Sequence, residues 1–200
     1  MYKSKKSKRG QLFVISAPTG GGKSTLVAKT LASLQKKFHI ARIVTYTTRP
    51  PRPGEEAGKD YHFVSHEQFE KLEKDSFFTE VTAYNTHVYG SPRNFLEPLE
   101  QGTSFIAITD RAGIAFYKTH YPFTICIWIT PPNLATLTSR LTKRGSETPE
   151  SLQRRLQLAE QEMQAEIDHP LCTEHLINDE LEASALELQH LIEHYFVPTS

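Results

Sequence analysis

Eight consecutive residues carry the clearest chemistry: Ala17, Pro18, Thr19, Gly20, Gly21, Gly22, Lys23 and Ser24. A phosphate-cradling loop has the pattern glycine, four residues, then Gly-Lys-Ser/Thr. Only the first glycine differs here, replaced by Ala17. Glycines let the backbone turn so that successive N–H groups point inward at phosphate oxygens. A helix that starts at Ser24 and continues through Thr25 adds the partial positive charge of its N-terminus. Lys23 can reach the β- and γ-phosphates, and the Ser24 hydroxyl can ligate magnesium. The loop predicts binding of a nucleoside triphosphate. Taken alone, it leaves open a kinase, an ATPase, a GTPase or a pure binder.

A second group lies further along the chain. Arg49 and Arg52 are spaced by two prolines, and a guanidinium fork matches phosphate oxygens two at a time. Tyr61 and Tyr89 offer hydroxyl donors nearby. Glu80 follows Phe77 and Phe78, and a buried carboxylate can pair with the N–H edge of a guanine. Singly, each reads as a surface arginine, a packed tyrosine or a solvated glutamate. Clustered in one proline-punctuated insert, they point to an acceptor site.

Alternating elements must position these groups. Apolar and β-branched runs predict strands over 11–16, 40–45, 103–109, 123–129 and 174–178. Helical spacing predicts helices over 25–36, 111–118, 133–143, 148–167 and 181–196. A capping box of Ser65 and Gln68 opens a helix over 66–74. Ser91-Pro92 reads as another helix start, with serine as cap and proline in the first turn, ending near Gly102. Strand–helix alternation implies an α/β fold with a central parallel sheet flanked by helices. Two polar interruptions, 46–97 and 141–150, are candidate mobile lobes.

Composition narrows the partners. The 200 residues suit one compact domain, and 23 basic residues balance 23 acidic ones. A generally basic surface for nucleic acid is therefore not expected. No apolar run approaches the roughly 20 residues of a membrane span. Residues 1–10 are basic, with Lys3, Lys5, Lys6, Lys8 and Arg9. No apolar segment of about 7–15 residues follows, so this stretch reads as a disordered, solvated tail. Cys126 and Cys172 make no metal spacing and no disulfide framework, which fits a reducing cytoplasm. His62, His66 and His87 lack metal-ligand spacing and read as ordinary lobe residues.

With these motifs in view, the chain resembles the guanylate kinase family from Gln11 onward. The resemblance is carried by the phosphate loop with Ser16 before it, by Thr47-Thr48-Arg49-Pro50-Pro51-Arg52-Pro53-Gly54-Glu55 and by Gly58-Lys59-Asp60-Tyr61-His62-Phe63. Val88-Tyr89-Gly90-Ser91, Pro131-Pro132, Arg140-Leu141-Thr142-Lys143-Arg144-Gly145 and Asn178-Asp179 continue it. The resemblance implies a P-loop kinase domain over 11–200, with core at 11–45 and 98–197. It also implies a nucleoside-monophosphate lobe at 46–97 and a short lid at 141–150. By the same resemblance, Arg49, Arg52, Tyr61 and Tyr89 hold the GMP phosphate, while Thr45, Glu80, Ser91 and Asp110 read the guanine. Arg140, Arg144 and Arg155 serve the ATP phosphates, and Asn178 lies near the adenine.

The implied activity is transfer of the γ-phosphate of ATP, with Mg2+, to GMP and dGMP. That serves purine nucleotide metabolism and GMP recycling. Lys23, Arg49, Arg140, Arg144 and Arg155 would be the catalytic residues. The family's Asp-x-Asp at the end of the third core strand is here Ile108-Thr109-Asp110, so the first carboxylate is missing. Of the residues that follow, Arg111-Ala112-Gly113 keep only the glycine. That departure keeps open a same-fold kinase for another phosphorylated acceptor, such as a sugar phosphate. A scaffold module is the other alternative, and the retained Lys23 and Ser24 speak against it. The oligomeric state is left open.

Overall fold

All five residues of the first strand, Leu12–Ser16 (β1), are buried, as a central strand covered on both faces requires. The structure is a computed structural model, and it describes residues 9–84, 86–143 and 149–196. After β1 come Lys23–Leu34 (α1), Ile40–Arg42 (β2), Tyr46–Thr47 (β3), His62–Phe63 (β4), His66–Lys74 (α2), Phe78–Tyr84 (β5) and His87–Pro92 (β6). A 3₁₀ turn at Arg93–Phe95 leads into Leu96–Glu100 (α3). The chain closes with Ser104–Ile108 (β7), Arg111–His120 (α4), Ile125–Thr130 (β8), Leu134–Lys143 (α5), Pro149–Asp168 (α6), Glu174–Ile177 (β9) and Leu181–His194 (α7).

Five strands form one sheet in the order β2-β7-β1-β8-β9, and every pairing in it is parallel. Alternate residues of the central strands serve opposite layers, as a period of two demands. Phe13, Ile15, Ile106, Ile127 and Ile129 pack on one face with Leu26, Val27 and Leu34 of α1 and Leu188 and Ile192 of α7. Leu12, Val14, Phe105, Cys126 and Trp128 pack on the other with Leu99 of α3 and Ile114 and Tyr117 of α4. The C-terminal end of this sheet is where a parallel fold presents its ligand site.

The lobe has a small sheet of its own, ordered β4-β3-β6-β5. It is braced by rings: Tyr46 lies against His62, Phe77 and Phe78, and Phe78 stacks on Phe69 of α2. The capping box of α2 is present as expected, Ser65 and Gln68 each bonding the other's backbone N–H.

Three expectations change. The second core strand ends at Arg42; Ile43 still donates to the Ile106 carbonyl, and the chain then enters the lobe, where the Thr45 carbonyl accepts from His62 N–H. Ser91 and Pro92 close β6 rather than opening a helix: Pro92 is in register with Phe78, and the Ser91 hydroxyl is spent on Glu80. Of the basic stretch, Arg9 lies 3.3 Å over the Phe123 ring and Gly10 is buried, its N–H donating to the Leu99 carbonyl. Those two residues therefore belong to the packed domain. Residues 1–8 lie outside the described residues.

Candidate active site

Ser16 hands the chain from β1 to the loop, and the loop ends where α1 begins at Lys23. Gly22 has φ 86°, and a Cβ there would stand 2.6 Å from Asn178 Nδ2, so both backbone and space require glycine. Pro18, Thr19, Gly20, Gly21, Gly22, Lys23 and Ser24 line a cleft of about 430 Å³. Ala17 is buried beneath it, and its carbonyl accepts from Lys23 Nζ at 2.6 Å. Thr25 is exposed on the first turn of α1 and does not line the cleft.

The same cleft is lined by Thr45, Arg49, Arg52, Tyr61, Glu80, Tyr89, Asp110 and Arg155. The structure thus brings donor-side and acceptor-side candidates to one cavity. Arg49 is buried, donates to both carboxylate oxygens of Glu55 at 2.8 and 3.0 Å, and lies 5.3 Å over the Tyr61 ring. Burial works against its charge, but the Glu55 bonds outweigh that and raise its pKa. Glu55 also accepts from Arg52 N–H at 2.7 Å, so one carboxylate fixes the loop that presents both arginines. The Tyr61 and Tyr89 rings meet edge to face at 6.0 Å.

Glu80 is 4% exposed. Ser91 Oγ donates to its Oε2 at 3.0 Å and Thr109 Oγ1 to its Oε1 at 3.2 Å. Burial raises its pKa to about 7. The Ser91 bond opposes the rise, and the nearby Asp110 charge adds to it. Ser91 does not line the cleft and acts on it through Glu80. Asp110 caps α4 by accepting from Gly113 N–H at 2.9 Å. A Cβ at Gly113 would overlap Thr109 Oγ1 and stand 2.7 Å from Glu80 Oε1. Only glycine lets the helix start pass this close to the carboxylate.

Two donor-side candidates stand outside the cleft lining. Asn178 is buried and donates to the Gly21 carbonyl at 2.8 Å, so it braces the loop and does not line the cleft. Arg140 turns away, donating to the Asp179 carbonyl at 2.8 Å, because its position late in α5 faces the turn after β9. Arg144, and the lid residues 144–148 with it, lie outside the described residues. The rest of the expected lid is the end of α5 and the start of α6.

The sequence reading missed several lining residues: Thr82, Tyr84, His87 and Thr109. Thr82 and Tyr84 lie at alternate positions of β5 from Glu80, so a period-two count from Glu80 would have found them. Glu55 had a signal too, three residues after Arg52 in a Pro-Gly turn. Ile108 lines the cleft at the end of β7, where no carboxylate stands.

A glycine loop between a central parallel strand and its helix, facing a lobe with paired arginines, defines a P-loop phosphotransferase. A family model described as guanylate kinase matches residues 9–195. The chain is 35% identical to the guanylate kinase of Trichodesmium erythraeum, over 93% of this chain and 97% of that protein. It is 38% identical to that of Thermosynechococcus vestitus, over 92% and 93%. The crystal structure of guanylate kinase from Anaplasma phagocytophilum matches with a TM-score of 0.78 at 26% identity, over 96% of this chain and 89% of that one. The chain belongs to the guanylate kinase family and is a nucleoside monophosphate kinase by class. A sugar-phosphate acceptor finds no support in these similarities.

Proposed function

We propose that this chain transfers the γ-phosphate of ATP to GMP, and to dGMP, giving the nucleoside diphosphate. The carrying observation is one cleft lined both by the loop and by Arg49, Arg52 and Glu80. The loop N–H groups and Lys23 take the triphosphate. Arg49, Arg52, Tyr61 and Tyr89 take the acceptor phosphate. Glu80, held by Ser91 and Thr109, accepts from the guanine N–H edge, with Thr45 and Asp110 beside it.

Phosphoryl transfer needs positioning and charge neutralisation more than covalent help. Holding two phosphates in line can supply about 7–11 kcal/mol of a barrier. The attacking phosphate oxygen is already ionised, so no strong general base is required. Lys23 and Arg155 offset the charge between donor and acceptor, with Arg144 in the same role by family resemblance. Arg140, bonded here to the Asp179 carbonyl, carries that role by family resemblance alone.

Mg2+ fits the residues present. Among the described residues no three His, Cys, Asp or Glu side chains form a cage, and magnesium beside substrate phosphates uses only one or two protein ligands. Ser24 would hold it, with Asp110 nearby, and bound there it neutralises phosphate charge. Cys126 and Cys172 are buried and unpaired, which suits a cytoplasmic setting. Among the described residues no helix is long and apolar enough to cross a membrane, and small-molecule substrates are the expected partners.

An ADP-release assay with GMP, dGMP, AMP and a sugar phosphate tests the reading. Turnover with GMP and dGMP is expected, and Lys23→Ala should abolish it. Activity on the sugar phosphate with none on GMP would overturn it.

A further inference from the structure

Glu162 takes no part in the mechanism above, yet the phosphate loop and the lobe meet at its carboxylate. The Thr19 N–H of the phosphate loop donates to Glu162 Oε2 at 3.0 Å, across 143 residues of sequence. Tyr84, on lobe strand β5, stands beside the same carboxylate. The charges of Lys23 and Asp110 also act on it. Glu162 lies on α6, seven residues after Arg155. Two turns of helix put both side chains on one face, about 10 Å apart along the axis.

We infer that Glu162 is a positioning residue for transfer: by clasping the Thr19 amide it registers the helix that carries Arg155 against the phosphate loop. A helix can slide or roll on its neighbours; near its C-terminal end α6 is tied by buried Glu166, which accepts from Arg111, and closer to Arg155 it packs on α5 through Leu137, Leu141 and Ala159. Apolar contacts of this kind are non-directional. The Thr19–Glu162 bond is directional, and it fixes rotation as well as distance. A misplacement of about 1 Å at a reacting centre can cost about a hundredfold in rate, so such a clasp acts on kcat. The Thr19 N–H precedes the Gly20–Ser24 cradle, so the clasp leaves the cradle's own donors to the triphosphate.

The inference rests on Arg155 being a transfer residue, and a double-mutant cycle separates the two claims. Glu162→Ala should lower kcat by about tenfold or more, with KM for GMP unchanged. Glu162→Gln, whose amide oxygen still accepts from Thr19, should recover most of that loss. Arg155→Ala should lower kcat as well, and the double variant should be little worse than Arg155→Ala alone. Should E162A fail to fold, Glu162→Asp takes its place: it keeps the charge but is one methylene too short, and the same kcat loss is expected. Wild-type kcat in E162A, E162Q no better than E162A, or fully additive losses in the double variant would each overturn the inference. So would tighter ATP binding with unchanged kcat, which marks a mere competitor for the loop. Wild-type kcat in R155A would instead remove the reading of Arg155, and the inference with it.

Discussion

Glu80 carries the sharpest residue-scale consequence. Its carboxyl has a folded pKa of about 7 against an ordinary 4.5, chiefly through burial. Between those values the folded chain keeps a proton that the unfolded chain has lost, so stability falls as pH rises through that window. The ionised form is nonetheless what a guanine N–H edge needs. The residue therefore trades stability for recognition, and Glu80→Gln should expose both sides. In the unliganded protein, E80Q should be more stable than wild type by on the order of 1–3 kcal/mol at pH 8, with the gain fading towards pH 5. For wild type, KM for GMP should rise about tenfold from pH 8 to pH 6 as the carboxylate protonates. In E80Q it should be high throughout and lack that component. Thermal melts and initial rates over this range check both. A flat wild-type profile identical to that of E80Q would remove Glu80 from base recognition.

At the scale of elements, the lobe is a small sheet held by rings rather than by the core. Phe78 is 5% exposed and touches Tyr46, Phe69 and Phe77. Removing a buried phenylalanine costs about 3–5 kcal/mol. Here that cost falls on β5 and β6, which carry Glu80, Tyr89 and Ser91. Phe78→Ala should therefore raise KM for GMP at least tenfold while ATP affinity, measured by calorimetry, stays within about twofold, since the loop belongs to the other sheet. Equal loss of both nucleotides would show that lobe and core do not fail separately. The lobe was also the part least legible in sequence. Two-residue strands such as β3 and β4 are too short for any periodicity to register. Ser91-Pro92 imitates a helix cap because local chemistry cannot reveal that Glu80, eleven residues away, claims the hydroxyl. The core strands were legible because burial on both faces leaves unbroken apolar runs. The loop was legible because its chemistry is local.

For the whole molecule, the cleft lies between two sheets whose side chains come from far apart in sequence. That separation explains what was read and what was missed. Candidates picked by residue type, such as Lys23, Arg49 and Glu80, do line the one cleft. Residues whose role depends on where a distant element lands, such as Glu162 on Thr19 or Asn178 under Gly21, needed the fold. Arg140, a suggestive type in a suggestive stretch, donates to the Asp179 carbonyl and stands outside the cleft lining. A ligand that joins the two sheets should stabilise them together. At about 100 times its Kd, GMP binding the native state alone adds about 2.7 kcal/mol. In a chain of this length that raises Tm by about 5–10 °C. Hydrogen exchange should show where the gain falls: GMP alone protecting the amides of β5 and β6, and ATP alone those of the loop and α1. Together they should protect both sheets beyond the sum, because closing the cleft orders each half against the other. Protection by GMP confined to the core sheet would contradict an acceptor site built on the lobe. Strictly additive protection would mean that the two halves bind without closing.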